Sequence, residues 1–383
     1  MPPTVALVSF RLGGPDGVSV QAATWGRALE RLGYRVRRVA GDVADGPGPG
    51  DVVIPGLGVT AEAAPGADGQ RPAGVGPPHP EVILEALAGC SVVVVENLLS
   101  LPLNLAAAHA LSAALGRLLR DGPARVMLHH HDLAWQRPET AHVTVLPPRL
   151  PGALHVTIND FSRAELAQRG FEAVTVRNAF DLDAPPGRRE ATRSALGAGP
   201  GDLVVLQPTR AIARKNIPAA LALAEGLAER RRNPAGAVIY WLPGPAEDGY
   251  APVLERMVAG ARIPVVLTRP GDLRLAGAPG PQPTMADAYA ACDLVVFPST
   301  GGEGFGQPVI ESVWARRPLA VARYPALEEI LALGFRFLPA GDPAVVAAAL
   351  ETPDEAGFDA NLALARAHFS LDALTERLRG LLS

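Results

Sequence analysis

The run PSTGGEGFGQPVIESVWARRP, from Pro298 to Pro318, constrains the backbone more tightly than any other stretch of the chain. A short apolar and β-branched run, Asp293 to Phe297, feeds it. Four glycines, Gly301, Gly302, Gly304 and Gly306, then crowd a turn that closes at Pro308. Beyond the proline, Val309, Ile310, Val313 and Trp314 recur at helical spacing, which predicts a helix with its apolar face inward. Proline suits a first helical position, because its φ is already helical and the N–H it lacks would have had no intrahelical partner. The stretch therefore reads strand, glycine turn, helix. Glu303 lies in the turn and Glu311 in the first helical turn, with seven residues between them. The helix dipole favours an ionised first-turn carboxylate by about 0.3–1 kcal/mol at an exposed site, so Glu311 is expected to carry its charge. Glycines let the backbone approach a ligand and offer it bare N–H groups. Such a site suits a polyhydroxylated, partly anionic ligand. The competing reading is an ordinary βα turn with two solvated glutamates.

At 383 residues, 48% of them hydrophobic, the chain is long enough for two soluble domains with sizeable cores. A net charge of −4 argues against a dedicated nucleic-acid binder. Cys90 and Cys292 stand outside any CxxC or Cys/His spacing, which fits a reducing compartment. No apolar run nears the roughly 18 residues of a membrane span, and no basic region precedes the first apolar stretch. The expected location is cytoplasmic. Among 35 basic residues, Lys215 is the one lysine.

Taken in order, residues 4–10 read as a buried strand, followed by the loop RLGGPDGVSV and a helix from about Ser19 to Gly33. Residues 34–40 and 51–54 read as further strands. Gly56-x-Gly58-x-x-Ala61 matches a dinucleotide fingerprint in letters. The Pro, Gly and Ala of residues 62–80 supply no helix to follow it, so residues 60–80 read as a long mobile loop. SVVVVEN (91–97) is a fully buried strand. Its Glu96-Asn97 end is a candidate acceptor contact, because strand carboxyl ends line the ligand crevice of open α/β sheets.

A helix from about Asn104 to Arg120 leads to RVMLHHHDLAWQRPE. Alternation along a strand prevents His129, His130 and His131 from all meeting one ion. His129, His131 and Asp132 leave a partial set with no further acid or Cys at recognisable spacing, so no metal is expected. Ser162-Arg-Ala-Glu165 reads as a capping box opening a helix. Asp181-Leu-Asp183 is a D-x-D in letters, read as polar residues ahead of the linker APPG (184–187).

A second βα series starts near Arg188. LVVLQPTR (203–210) is a strand, and Pro218 to Arg232 a helix begun by proline. Arg210 and Lys215 lie between the two, where fixed cations, free N–H groups and a helix dipole converge on a diphosphate. A strand and loop at 238–248, a strand at 263–268, a helix capped by Thr284 and Asp287, a strand at 319–322 and C-terminal helices complete the pattern.

Glu303-x7-Glu311 within PS-x4-EGFG-x-P-x-x-E, behind its strand and after Arg210-x4-Lys215, closely resembles the donor-site signature of the retaining family-four glycosyltransferases. The resemblance implies the GT-B fold, an α/β architecture of two doubly wound Rossmann-like domains facing across a cleft. Residues 1–184 would form an acceptor-side domain and 188–360 the donor domain, with a helix in 361–383 crossing back to the first. It implies transfer of a hexose from a nucleoside-diphosphate sugar to an acceptor hydroxyl, retaining configuration, with neither metal nor other cofactor. Arg210 and Lys215 would meet the diphosphate, Glu311 the ribose, and Glu303 with Gly304, Phe305 and Gly306 the sugar. His131, in an HD at the end of its strand, would reach the sugar from the other domain. Gly17 is the positional match to glycines that approach the diphosphate, although this chain has Asp16-Gly17 where the family more often pairs two glycines; a plain tight turn is the competing reading.

The alternatives are a nucleotide-sugar epimerase on the same fold, which would convert donor without acceptor, and a non-catalytic nucleotide-sugar-binding protein. Arg31, Arg35, Arg37 and Arg38 would suit an anionic membrane surface or be ordinary solvated charges, the reading favoured here. The sequence leaves the donor base, the acceptor and the oligomeric state open.

Overall fold

Strands and helices alternate along the chain, and every strand pairing among the described residues is parallel. The computed structural model describes residues 2–61, 71–231, 236–247, 249–275 and 282–383. It divides into two units, Met1–Phe180 with Phe369–Ser383, and Asp181–His368. The core of the long loop read at 60–80 falls largely outside the described residues. The first unit contains β1 (Thr4–Leu12), β2 (Arg35–Val43), β3 (Val52–Val53), β4 (Cys90–Glu96), β5 (Arg125–His130), β6 (Leu154–Thr157) and β7 (Ala173–Thr175). They form one sheet in the order β3-β2-β1-β4-β5-β6-β7. The second unit contains β8 (Leu203–Leu206), β9 (Val238–Trp241), β10 (Val265–Val266), β11 (Leu294–Phe297), β12 (Leu319–Val321) and β13 (Leu338–Pro339), ordered β10-β9-β8-β11-β12-β13. In each sheet the order reverses once, between β1 and β4 and between β8 and β11. Ligands of doubly wound folds bind outside the carboxyl ends at that reversal.

The apolar runs of the strands follow from this layering. In the first sheet Ala6, Val8, Phe10, Val93 and Val95 enter one core. Their neighbours Val5, Leu7, Val92 and Val94 enter a second on the opposite face. A parallel sheet covered on both faces has no solvent side, so its strands lack the apolar–polar alternation of half-exposed ones. In the second sheet Val205, Tyr240, Leu294 and Val296 share one core, while Val204, Leu206, Trp241, Val295 and Phe297 are buried as their alternates. Removing each such aliphatic side chain from water contributes about 1.5–3 kcal/mol.

Local signals set most helix ends, with two differences. The first helix runs Gly17–Arg31, starting ahead of Ser19, because the Asp16 carboxylate accepts from the backbone N–H groups of Val18 and Ser19. The predicted capping box at Ser162 and Glu165 does not form. The helix Asp160–Gln168 is capped by Asn159, whose side chain accepts from Ser162 N at 2.6 Å, and Glu165 accepts from Trp135 and Gln136 instead. The cap at Thr284 and Asp287 does form, and the same Asp287 carboxylate takes the Arg188 guanidinium.

The basic cluster near the first helix is engaged with the chain itself. Arg31 pairs with Asp372 at 2.6 Å, Arg35 donates to Thr4, Arg37 to the carbonyls of Ala86 and Ala88, and Arg38 to Asp45 and Asp51. Among the described residues no helix is long and apolar enough to cross a membrane.

Candidate active site

In the second unit the polar groups gather where β8 and β11 end. After β8, buried Gln207 donates to the Lys215 carbonyl at 2.8 Å and fixes the loop between them. Lys215 closes a single 3-10 turn, Ala213–Lys215, and Asn216, in the left-handed region at φ 51°, redirects the chain into the helix Ile217–Arg230. Thr300 N donates to the Arg214 carbonyl at 3.0 Å, tying this loop to the glycine turn.

Four side chains then converge. The Glu303 Oε1 atom accepts from Lys215 Nζ at 2.6 Å, from Ser299 Oγ at 2.6 Å and from the Arg214 guanidinium. The ammonium also lies 5.0 Å from the centroid of the Phe297 ring. Lys215 is 9% exposed. Burial draws its pKa down to about 8, Glu303 partly offsets that, and Arg214 lowers it further. Arg210, by contrast, is half exposed and pairs with Glu247. Arg214 is the residue that sequence reasoning missed: it stands beside Lys215, but only the path of the glycine turn brings Glu303 against both.

The glycine turn leads into the helix Pro308–Trp314, as its proline predicts. Gly306 lies at φ +82°, and a Cβ there would fall 2.3 Å from the Tyr324 hydroxyl, which itself donates to the Phe305 carbonyl at 2.8 Å. At Glu311 burial opposes the helix dipole's preference for charge only in part. Its environment raises the carboxyl pKa through burial, and the Tyr289 hydroxyl, donating at 2.6 Å, offsets only part of that. Tyr289 comes from the helix Met285–Ala291, which the periodicity of residues 308–314 cannot reveal.

In the first unit the polar groups likewise gather at the carboxyl ends of β4 and β5, beside the reversal. Gly17 is the first residue of its helix; the glycine that the preceding loop requires is Gly13, at φ +76°. Glu96 and His129 are register partners on adjacent strands. The Glu96 Oε2 atom lies 2.7 Å from His129 Nδ1 and 2.7 Å from His131 Nε2. Glu96 is 0% exposed, so its carboxylate cannot contact an acceptor, contrary to the expectation for the strand end. Despite burial, the two histidines hold its pKa down at about 2. Asn97 is also buried, and its Oδ1 accepts from the backbone N–H groups of His131 and Asp132.

The alternation argument holds, with one correction. His129 and His131 face Glu96, while His130 faces the other side and contacts Ser100 and His155 at 2.6 and 2.9 Å. The acid that completes a His–His–carboxylate group is therefore Glu96, supplied by the neighbouring strand and far from the histidines in sequence. Asp132 pairs with Arg137 instead. Asp183 of the D-x-D pairs with Arg366. Glycines Gly56 and Gly58 give their carbonyls to the Asn104 side chain, consistent with a coincidental fingerprint.

The pair behind β5 carries a pH prediction. Burial lowers the pKa of His130 well below its ordinary value, with His155 adding to the effect, and lowers that of His155 to about 4, with Arg149 adding. Both are neutral when folded and titrate near 6.5 when unfolded. The stability they supply is therefore complete above about pH 6.5 and declines as pH falls toward 4. Thermal unfolding should show a falling midpoint from pH 7 to pH 4.5, and His155→Gln should flatten that slope; an equally steep slope in the variant would refute the assignment.

Two parallel doubly wound sheets make up the GT-B fold, and with the polar cluster and E-x7-E turn of the second unit they mark a glycosyltransferase. No protein-family model matches the chain. It is 25% identical over 384 residues to mannosylglucosylglycerate synthase of Petrotoga mobilis, covering 89% of this chain and 87% of the relative. It is 26% identical over 380 residues to the enzyme of that name from Thermotoga maritima, covering 88% and 85%. The solved structure of Anabaena HepE in complex with UDP-glucose superposes with a TM-score of 0.64 at 19% identity, covering 99% of both chains.

Proposed function

We propose that the chain is a cytoplasmic, retaining, metal-independent hexosyltransferase that takes its sugar from a nucleoside diphosphate and passes it to a small hydroxyl acceptor. The convergence of Lys215, Arg214 and Ser299 on Glu303 at the β8–β11 reversal carries this reading. Lys215 and Arg214, with Arg210 at the rim, supply the positive charge that a leaving diphosphate needs, the part a divalent cation plays elsewhere. The bond from the anomeric carbon to the phosphate oxygen breaks. The bond to the acceptor oxygen forms on the same face, and the leaving phosphate takes the acceptor proton, so no protein nucleophile is required. Glu311 binds the ribose hydroxyls. Glu303 and the N–H groups from Gly304 through Phe305 to Gly306 hold the sugar, and His131 positions it. HepE was solved with UDP-glucose and the relatives are named for a glycosylated glycerate, so uridine donors and small carboxylate-bearing acceptors head the panel to test. The buried, free thiols Cys90 and Cys292 are in keeping with a reducing compartment.

The test is thermal unfolding against nucleoside diphosphates and their sugars, run beside Lys215→Ala. A ligand at about 100 times its Kd stabilises by roughly 2.7 kcal/mol, a shift of several degrees. One nucleotide should shift the wild type and not the variant. Conversion of that donor without acceptor would indicate an epimerase, and binding without turnover a non-catalytic binder. Glu311→Ala should raise donor KM more than it lowers kcat, since ribose binding is largely equal in ground and transition states. The opposite split would move Glu311 into the chemistry.

A further inference from the structure

We propose that Glu96 and Asn97 are positioning residues for His131, and that Glu96 fixes the imidazole so that its Nδ1 offers a lone pair to a hydroxyl of the bound sugar. The proposal deepens the role given to His131 above and rests on it.

The argument begins at the end of β4. Two consecutive residues reach across to the same target on β5: the Asn97 side chain accepts from the backbone N–H of His131 at 2.9 Å, and the Glu96 side chain meets its ring at 2.7 Å. Asn97 sits in the left-handed region at φ 58°, a conformation asparagine tolerates better than most residues. Backbone and ring of His131 are thus held from one place.

The hydrogen bonds also dictate the tautomers. An ionised carboxylate only accepts, so both contacts to Oε2 need a proton on nitrogen. A neutral imidazole has one N–H. His129 therefore carries it on Nδ1 and His131 on Nε2. A second observation agrees: His129 Nε2 is buried without a partner. A bare lone pair there costs less than an unpaired N–H of a buried imidazolium. Burial lowers the pKa of His129, which keeps that ring neutral against the pull of Glu96. The Trp25 ring, 4.3 Å from the His129 ring, closes the far side. In the neutral form of His131 the bare nitrogen is then Nδ1, and among the described residues that nitrogen makes no hydrogen bond.

The test combines a spectroscopic and a kinetic arm on the full chain. Two-bond nitrogen–proton spectra of histidine-labelled wild-type protein should report His131 as the Nε2–H tautomer. In Glu96→Gln that resonance pair should move toward mixed tautomers. The Nδ1–H form in the wild type would overturn the proposal. In the kinetic arm, Glu96→Gln should lower kcat by up to about 10²-fold with donor KM little changed. In the Glu96→Gln/His131→Ala double variant, kcat should match that of His131→Ala alone. Additive losses would mean that Glu96 acts independently and would also overturn it. Glu96→Asp, which keeps the charge, provides the comparison if the glutamine variant folds poorly. A stoichiometric transition metal in the purified protein, whose removal shifts the same resonances, would replace the hydrogen-bond assignment with a cation site. If wild-type protein transfers sugar from no donor, the proposed reaction fails, while the tautomer spectra still decide the positioning claim.

Discussion

Lys215→Ala is expected to lower turnover by about 10²–10³-fold, the range seen when one preorganised donor to developing charge is removed. The size follows from the site. The ammonium is nearly buried and held at 2.6 Å from Glu303, so it is oriented before any ligand arrives. In a low-dielectric setting such a charge acts on a leaving diphosphate with little water to screen it. Arg214→Ala should cost less, because this side chain is about one-third exposed, and Arg210→Ala least, because it is half exposed and shared with Glu247. The buried amine carries a second signature. With its pKa drawn to about 8, the ligand-free ammonium loses its proton as pH rises through that value. Donor affinity should weaken there. Turnover of Lys215→Ala within tenfold of wild type would remove the diphosphate assignment.

Gly306→Ala should destabilise the second unit by about 2–5 kcal/mol and abolish donor-induced thermal shifts. A left-handed backbone costs an L-residue roughly 1–2 kcal/mol. The new Cβ would also collide with the Tyr324 hydroxyl, 2.3 Å away, and break its bond to the Phe305 carbonyl. The overpacking and the lost hydrogen bond together cost about 1–3 kcal/mol more. Tyr324→Phe removes the nearest colliding atom, so the double variant should recover part of the loss, leaving the contact with Phe297 at 2.8 Å. Denaturant unfolding of the three variants separates these contributions. Simple additivity in the double variant would show that the hydroxyl is not the obstacle.

What the sequence made legible was local. The turn at 298–308 is written in its own glycines and proline, and the strands in unbroken apolar runs that only two-sided burial explains. Lys215 was legible because one lysine survives in an arginine-rich chain. What remained hidden depends on pairing between elements. No spacing rule links Glu96 to His129, because sheet register joins them. Nor does any pattern reveal that Tyr289 donates to Glu311, or that burial raises the pKa of that carboxyl. Arg214 carries no such signal, since the four-residue spacing to Lys215 singles out Arg210 instead. Asn159 outcompeted Ser162 as a cap because its side chain was one turn earlier and already aimed at the free N–H groups.

The helix Leu371–Leu382 packs Leu371, Leu374 and Leu378 into the core that also holds Val5, Leu7 and Trp25. The residues of that core thus bracket the entire second unit. During synthesis, therefore, the ribosome delivers every residue of the second unit before the first has all of its own. The half begun earliest is finished last, and until then the apolar faces of β1 and its helix lack their final cover. For this chain, order of translation and order of completion run opposite ways.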